Sequence, residues 1–180
     1  MKRIAYLVTV CFLIHFSASA QHYTQQITNV KEQARKMADA LIKKDYNTLM
    51  KFINIEGYPK GKLNAMTPAK VLKTIQTVDS QMVKQGIAIK SINFGDVISI
   101  LKVDFEFQCT IKQITETKMQ LGRVITTSTL IGTSNDSGIT WKFVDATGRD
   151  KIEMKKLMPR LSDKLIFATK EAPKFLTDNK

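Results

Sequence analysis

Early in the chain, apolar residues recur every three or four positions. Ile27, Val30, Ala34, Met37, Ala38, Leu41 and Ile42 share one side, and Lys31, Glu32, Arg35, Lys36, Asp39 and Lys43 fall largely between them. This spacing predicts an amphipathic helix of about four to five turns. Asp45 is placed to cap a second, short helix whose apolar members are Tyr46, Leu49, Met50, Phe52 and Ile53. Asn54 to Met66 contains Gly57, Pro59 and Gly61 and reads as a loop. Thr67-Pro68 then starts a third helix, because a proline at the first helical position forgoes an N–H that would have no partner. Val71, Leu72, Ile75, Val78, Met82 and Val83 form its apolar face, and Gly86 ends it.

After Gly86 the period shortens to two. Ile87 to Phe94 is a strand, with Gly95-Asp96 as the turn that follows. From Ser99 to Ile111 the alternation is nearly perfect. Leu101, Val103, Phe105, Phe107, Cys109 and Ile111 point one way, and Ile100, Lys102, Asp104, Glu106, Gln108 and Thr110 the other. One buried face and one wet face are expected. Met119 to Ile131 is a further strand in which Gly122 marks a bulge, and Ile139 to Val144 closes a hairpin with it. Arg149 to Leu157 reads as a short helix ending before Pro159. Helices followed by antiparallel strands predict an α+β fold: N-terminal helices packed on a curved antiparallel sheet, with a short C-terminal helix. No linker divides the chain, so residues 21–165 are expected to form one domain. Residues 166–180 are expected to form a polar, loose tail.

The first twenty residues have a separate logic. Lys2 and Arg3 precede an apolar run from Ile4 to Phe16, and Ser17-Ala18-Ser19-Ala20 supplies small residues for a cut after Ala20. This is the pattern of a signal peptide, and the run is too short for a transmembrane helix, which needs about 20 residues. Val10 before Cys11 does not fit a lipid-anchoring motif. The expected product is exported, periplasmic or secreted, begins at Gln21 and has no transmembrane segment. It keeps Cys109 as its one thiol, read as a buried and inert side chain.

The whole chain of 180 residues carries 28 Lys and Arg against 16 Asp and Glu, a net charge of +12. Loss of Lys2 and Arg3 leaves 26 against 16, or +10. The bases are dispersed and densest near Lys155, Lys156 and Arg160, which mark a basic edge. An exported chain without a base-stacking module gives no reason to expect nucleic acid. His15 leaves with the leader, and His22 stands at the second position of the product. That removes Ser-His-Asp and Cys-His catalysis and most zinc sites, so neither a metal nor a cofactor is expected. No phosphate-binding or dinucleotide fingerprint is present.

Ser134-Asn135-Asp136-Ser137-Gly138-Ile139-Thr140-Trp141 resembles an Asp-box, the hairpin motif repeated in sialidase-type propellers. A propeller needs several four-stranded blades, and this chain has one copy of the motif. Ser134, Asp136, Gly138 and Trp141 are therefore read as a structural turn. Asp and Ser accept from nearby backbone N–H groups, Gly permits positive φ, and Trp packs beneath.

The order of helices then sheet, with Ala38-x-x-Leu41, Asp45-Tyr46-x-x-Leu49 and the late strand Trp141-Lys142-Phe143-Val144-Asp145, resembles the nuclear-transport-factor-two-like cone over residues 27–145. The chain also resembles small exported proteins of Bacteroidetes-type bacteria. The resemblance implies an apolar pocket between helices and sheet, with Tyr46, Phe105 and Phe107 as its wall, and pairing of two copies into a homodimer. The function it implies is that of an exported, non-catalytic binding module for a small apolar molecule or envelope component. An isomerase- or cyclase-like enzyme is the alternative. It requires a carboxylate base and an oxyanion partner in the pocket, with Tyr46, Tyr58 and Asp104 as first suspects. Alternation turns Asp104 and Glu106 away from the apolar row and weighs against that reading. A further alternative is docking of the basic edge on an anionic envelope surface.

Overall fold

A computed structural model describes residues 24–55 and 67–177. The signal-peptide segment, Tyr58 and most of the expected 54–66 loop lie outside the described residues. The fold is α+β. Helix α1 covers residues 24–42, α2 is Tyr46–Met50 and α3 is Pro68–Lys84. Strands β1 (Ala88–Val103), β2 (Glu106–Met119), β3 (Gly122–Ser134) and β4 (Lys142–Asp145) follow, then α4 (Lys151–Leu157) and β5 (Lys174–Leu176). The sheet is antiparallel and open, in the order β1-β2-β3-β4, and β5 pairs with β3.

The caps follow local chemistry. Asp45 accepts from the Thr48 N–H and Thr67 from the Lys70 N–H, with Pro68 just inside α3. Asp150 and Glu153 form a reciprocal capping box on α4.

The strand boundaries differ from those predicted. Gly95-Asp96 is not a turn, because β1 runs through it, and the register shifts between Phe94 and Val97 and again between Val97 and Ser99. A bulge and a turn favour the same residue types, so Gly-Asp does not distinguish them. The turn falls instead at Asp104-Phe105, between the paired Val103 and Glu106, with Asp104 at φ 54°. Aspartate is among the residues that tolerate this conformation best. A second two-residue turn, Gln120-Leu121, separates β2 from β3, so Met119 ends one strand and Gly122 starts the next.

The hairpin at Asp104-Phe105 reverses the expected parity. Leu101 pairs with Gln108 and Lys102 with Phe107, so Leu101 and Phe107 lie on opposite faces. Phe107, Cys109 and Ile111 join Leu130, Trp141 and Phe143 in a core packed by Val30, Ala34, Met37 and Ala40 of α1. Leu101 packs on the other face against Ile131, Val144, Met154, Met158, Leu161 and Leu165.

That second face was expected to be wet, but it is covered. Gln108 and Thr110 are almost fully buried. Gln108 donates to the Arg160 carbonyl and accepts from the Ser162 N–H, and Thr110 donates to the Ile166 carbonyl at 2.6 Å. The polar half of the alternating strand thus seats the chain that follows α4, and each buried polar atom finds a partner there. This sheet face is covered by the chain's own C-terminal segment.

The expected loose tail is also tied down as far as Thr177. The Ala168 N–H donates to Thr129 Oγ1, Lys112 pairs with Glu171, and β5 pairs with Arg123–Ile125. Gly122 makes this possible. It sits at φ +147°, and a Cβ there would lie 2.3 Å from the Leu176 carbonyl oxygen.

Gly132 is a tight packing point. A Cβ there would lie 2.8 Å from Cys109 Sγ and 3.1 Å from the Phe143 ring, both fully buried. Gly132→Ala is expected to destabilise the protein by about 1–3 kcal/mol, the usual cost of overpacking a core. A lower urea midpoint with an unchanged slope is the expected reading.

Candidate functional site: a cavity between helices and sheet

A cavity of about 580 Å³ lies between the helices and the sheet. Met37 and Leu41 of α1, Leu49 of α2 and Ile75, Val78 and Met82 of α3 make its apolar side. The sheet side carries Ile89 and Ile92 of β1, but also Gln113, Thr115 and Thr117 of β2, Thr126 of β3 and Asp145 of β4. The volume is that of an ordinary small-molecule pocket, with greasy walls and a few polar groups.

The polar groups are held in place. Gln113 is buried and donates to Asp145 Oδ2 at 3.1 Å. Asp145 Oδ1 accepts from the Thr147 N–H at 2.8 Å, from Thr147 Oγ1 at 2.7 Å and from Ser128 Oγ at 3.3 Å. The result is a fixed cluster of acceptors and hydroxyls facing an apolar roof. The roof is loosely packed: no residue of α3 is buried, and Val78 is half exposed. Asp79 ties α3 to the α1–α2 corner by accepting from Tyr46 Oη at 2.8 Å and pairing with Lys44 at 2.9 Å. Those contacts hold the Asp79 carboxyl below its usual range, Lys44 contributing most.

The three residues expected to form the pocket wall lie elsewhere. Phe105 sits at the hairpin tip, 91% exposed, because the apolar row folds back on itself there. Phe107 is buried in the core with the Lys102 ammonium 5.9 Å above its ring, and it does not reach the cavity. Tyr46 packs against the same core with its hydroxyl on Asp79. Burial and that carboxylate raise the Tyr46 pKa. Asp104 occupies the exposed hairpin turn. Neither Tyr46 nor Asp104 brings a proton-transfer group to the cavity.

The odd-numbered row of β2 does not stop at Ile111. It continues as Gln113, Thr115 and Thr117 on the same face. That change from apolar to polar along one face was the available signal.

Of the basic edge, Lys155 pairs with Asp163 and lies half-buried, while Lys156 is exposed. Neighbouring Lys151 donates to the carbonyls of Asp163 and Leu165. Arg160 offers its carbonyl to Gln108 and is exposed. Much of this charge therefore fastens the C-terminal segment to α4. Cys109 is fully buried, and burial pushes its thiol up to about 12, so it stays protonated at neutral pH. Among the described residues no cluster of three or more His, Cys, Asp or Glu is placed to hold a metal, and no helix is long and apolar enough to cross a membrane.

The Ser134–Trp141 turn closes on itself and on α1. Ser134 Oγ donates to Asp136 Oδ1, which also accepts from the N–H groups of Ile139 and Thr140, while Oδ2 accepts from Thr140 Oγ1 at 2.6 Å. Buried Trp141 donates to the Gly138 carbonyl at 3.0 Å. Gly138 stands at φ +85°, where a Cβ would lie 2.7 Å from Gln26 of α1. No protein-family model matches the chain, and a search of curated proteins finds no match.

Burial works to raise the Asp136 pKa, but its hydrogen bonds with Thr140, Ser134 and Ile139 outweigh it and leave the carboxyl below its ordinary value. The sign follows from linkage. With a folded pKa below the unfolded one, near 3.9, the carboxylate's contribution is present above pH of about 4 and fades as pH falls through the folded value. Asp136→Ala is expected to cost about 1–3 kcal/mol at pH 7, from backbone and hydroxyl donors left without an acceptor. Asp136→Asn is expected to cost less, and its gap from the parent protein should narrow between pH 5 and pH of about 2 in urea titrations.

Proposed function

We propose that this chain is an exported, non-catalytic binding module of the nuclear-transport-factor-two-like cone type, which holds a small, mostly apolar molecule between its helices and its sheet. The observation that carries the reading is the cavity of about 580 Å³, apolar on the helix side and lined by fixed hydrogen-bonding groups on the sheet side. A ligand with a hydrocarbon body and one polar end matches that gradient: its body displaces water from Leu41, Ile75 and Met82, and its polar end replaces the bonds that water makes to the threonines and Asp145. The α+β arrangement and the helix-then-sheet order support the family reading. The Lys2-Arg3, Ile4–Phe16 and Ser17–Ala20 pattern supports export to the periplasm or beyond.

A binding role is favoured over an enzymatic one by the state of Asp145. It is the one carboxylate lining the cavity among the described residues, and it already accepts four hydrogen bonds. Such a group positions a donor on the ligand; it is poorly placed to carry a proton away.

An environment-sensitive naphthalene dye should bind the protein with enhanced fluorescence and be displaced by medium-chain fatty alcohols. Leu41→Trp, which fills the apolar side, is expected to weaken dye binding at least tenfold with the fold intact by circular dichroism. Gln113→Leu should reduce the preference for the alcohol over the matching alkane. Dye binding that survives Leu41→Trp unchanged would place the dye elsewhere and reject the cavity. For the export half of the reading, N-terminal sequencing of the released protein is expected to begin at Gln21.

A further inference from the structure

A second pocket, of about 310 Å³, opens at the other end of the sheet, where the β1–β2 hairpin, the end of β3 and the start of β4 meet the chain after α4. Its character is the reverse of the first. Four of the eight buried polar side chains among the described residues line it: Asn54, Gln108, Thr133 and Ser134. Burying polar side chains is costly unless each is bonded, and these are: Asn54 donates to Thr133 at 2.8 Å, Ser134 bonds Asp136, and Gln108 uses both ends of its amide. The back wall is therefore rigid and polar.

Four charged residues line it: Glu106, Asp136, Lys142 and Arg160. Asp136 is engaged inside its own turn and Lys142 has a partner of its own, which leaves Glu106 and Arg160. Glu106 lies at the start of β2, where one oxygen, Oε1, accepts from Gln108 Nε2 at 2.7 Å. Arg160 lies across the pocket on the segment after α4, and the same Gln108 nitrogen donates to its backbone carbonyl at 2.9 Å. One buried amide thus holds the Glu106 carboxylate and the Arg160 main chain. Yet Glu106 and Arg160 form no ion pair with each other, and the Arg160 guanidinium has no hydrogen-bonded partner among the described residues. An acid and a base that line one polar pocket, both tied to the same amide, Arg160 through its main chain, and not paired with each other, are complementary to a molecule that carries both signs.

We propose that this pocket binds a small zwitterion of the free α-amino-acid class, with its carboxylate on Arg160 and its ammonium on Glu106. The guanidinium fork matches a carboxylate in two-point geometry, and the remaining Glu106 oxygen accepts from an ammonium. Met158 and Leu161 supply an apolar patch for a short side chain. The site is separate from the helix–sheet cavity, and neither proposal depends on the other.

The test is calorimetric titration of the full chain with individual free amino acids, the matching amino-acid amides, which lack the carboxylate, and the N-acetyl derivatives, which lack the ammonium. Glucose serves as a neutral polar probe. The expected result is binding of at least one free amino acid, with both blocked forms at least tenfold weaker. Arg160→Gln should erase the discrimination against the amide, and Glu106→Gln the discrimination against the N-acetyl form. Both positions are partly or fully exposed, and Arg160 meets the fold through its main chain, so both variants are expected to stay folded. Failure of every free amino acid to bind would overturn the proposal. So would binding of glucose with equal strength, or amino-acid binding indifferent to both substitutions. The analogue series reads the parent protein alone, so it decides the question even if a variant unfolds.

Discussion

The seating of α1 on the Ser134–Trp141 turn is the constraint on which the rest depends. Gln26, Asn29 and Gln33 lie along one edge of the helix and donate to the carbonyls of Ser137, Gly138 and Ile139, while Gln33 Oε1 accepts from the Trp141 N–H. Residues three and four apart share a helix face, so the three amides reach one loop together. The loop can be gripped because its own side chains have already closed it. Once α1 is fixed there, Val30, Ala34, Met37 and Ala40 must meet the sheet over Phe107, Cys109 and Leu130. The cavity lies beyond that contact, between Met37 and Leu41 of α1, the other two helices and the sheet.

A second consequence concerns which face of the sheet does what. Over residues 107–111 of β2 and 129–134 of β3 both sides are buried, but by different means. The helix side is closed mainly by apolar packing, and the opposite side by apolar packing plus bonds from Gln108, Thr110 and Thr129 to the main chain of residues 160–168. A sheet covered on one side by helices and on the other by irregular chain needs such bonds, because irregular backbone cannot satisfy itself.

Much of this was legible in the residues. The three helices, the Asp45 and Thr67 caps and the switch to period two all follow from local chemistry, and so does the Asp136 turn. Strand limits were not legible where local signals are ambiguous. Gly95-Asp96 looks like a turn and is a bulge; Asp104-Phe105 looks like continued alternation and is the turn. That one displacement moved Phe105 from a supposed wall to the hairpin tip and split the apolar row between two faces. The covering of Gln108 and Thr110 was illegible for another reason. Alternation says which side a residue faces and not whether a distant part of the chain lies there. The cavity's floor stood in plain view at Gln113, Thr115 and Thr117, but only pairing with Thr126 and proximity to Asp145 give those residues a common purpose.

The segment that covers the far face carries an implication for how the molecule is made. It leaves the ribosome after the strands it covers, and synthesis delivers about 5–20 residues each second. Until Met158, Leu161 and Leu165 emerge, the side of Ile131 and Val144 that they will shield has no shelter. Nascent chains and products cut short ahead of Met158 therefore share one sticky surface that the folded molecule hides, and such truncation yields a product more prone to clump than to lose its N-terminal half.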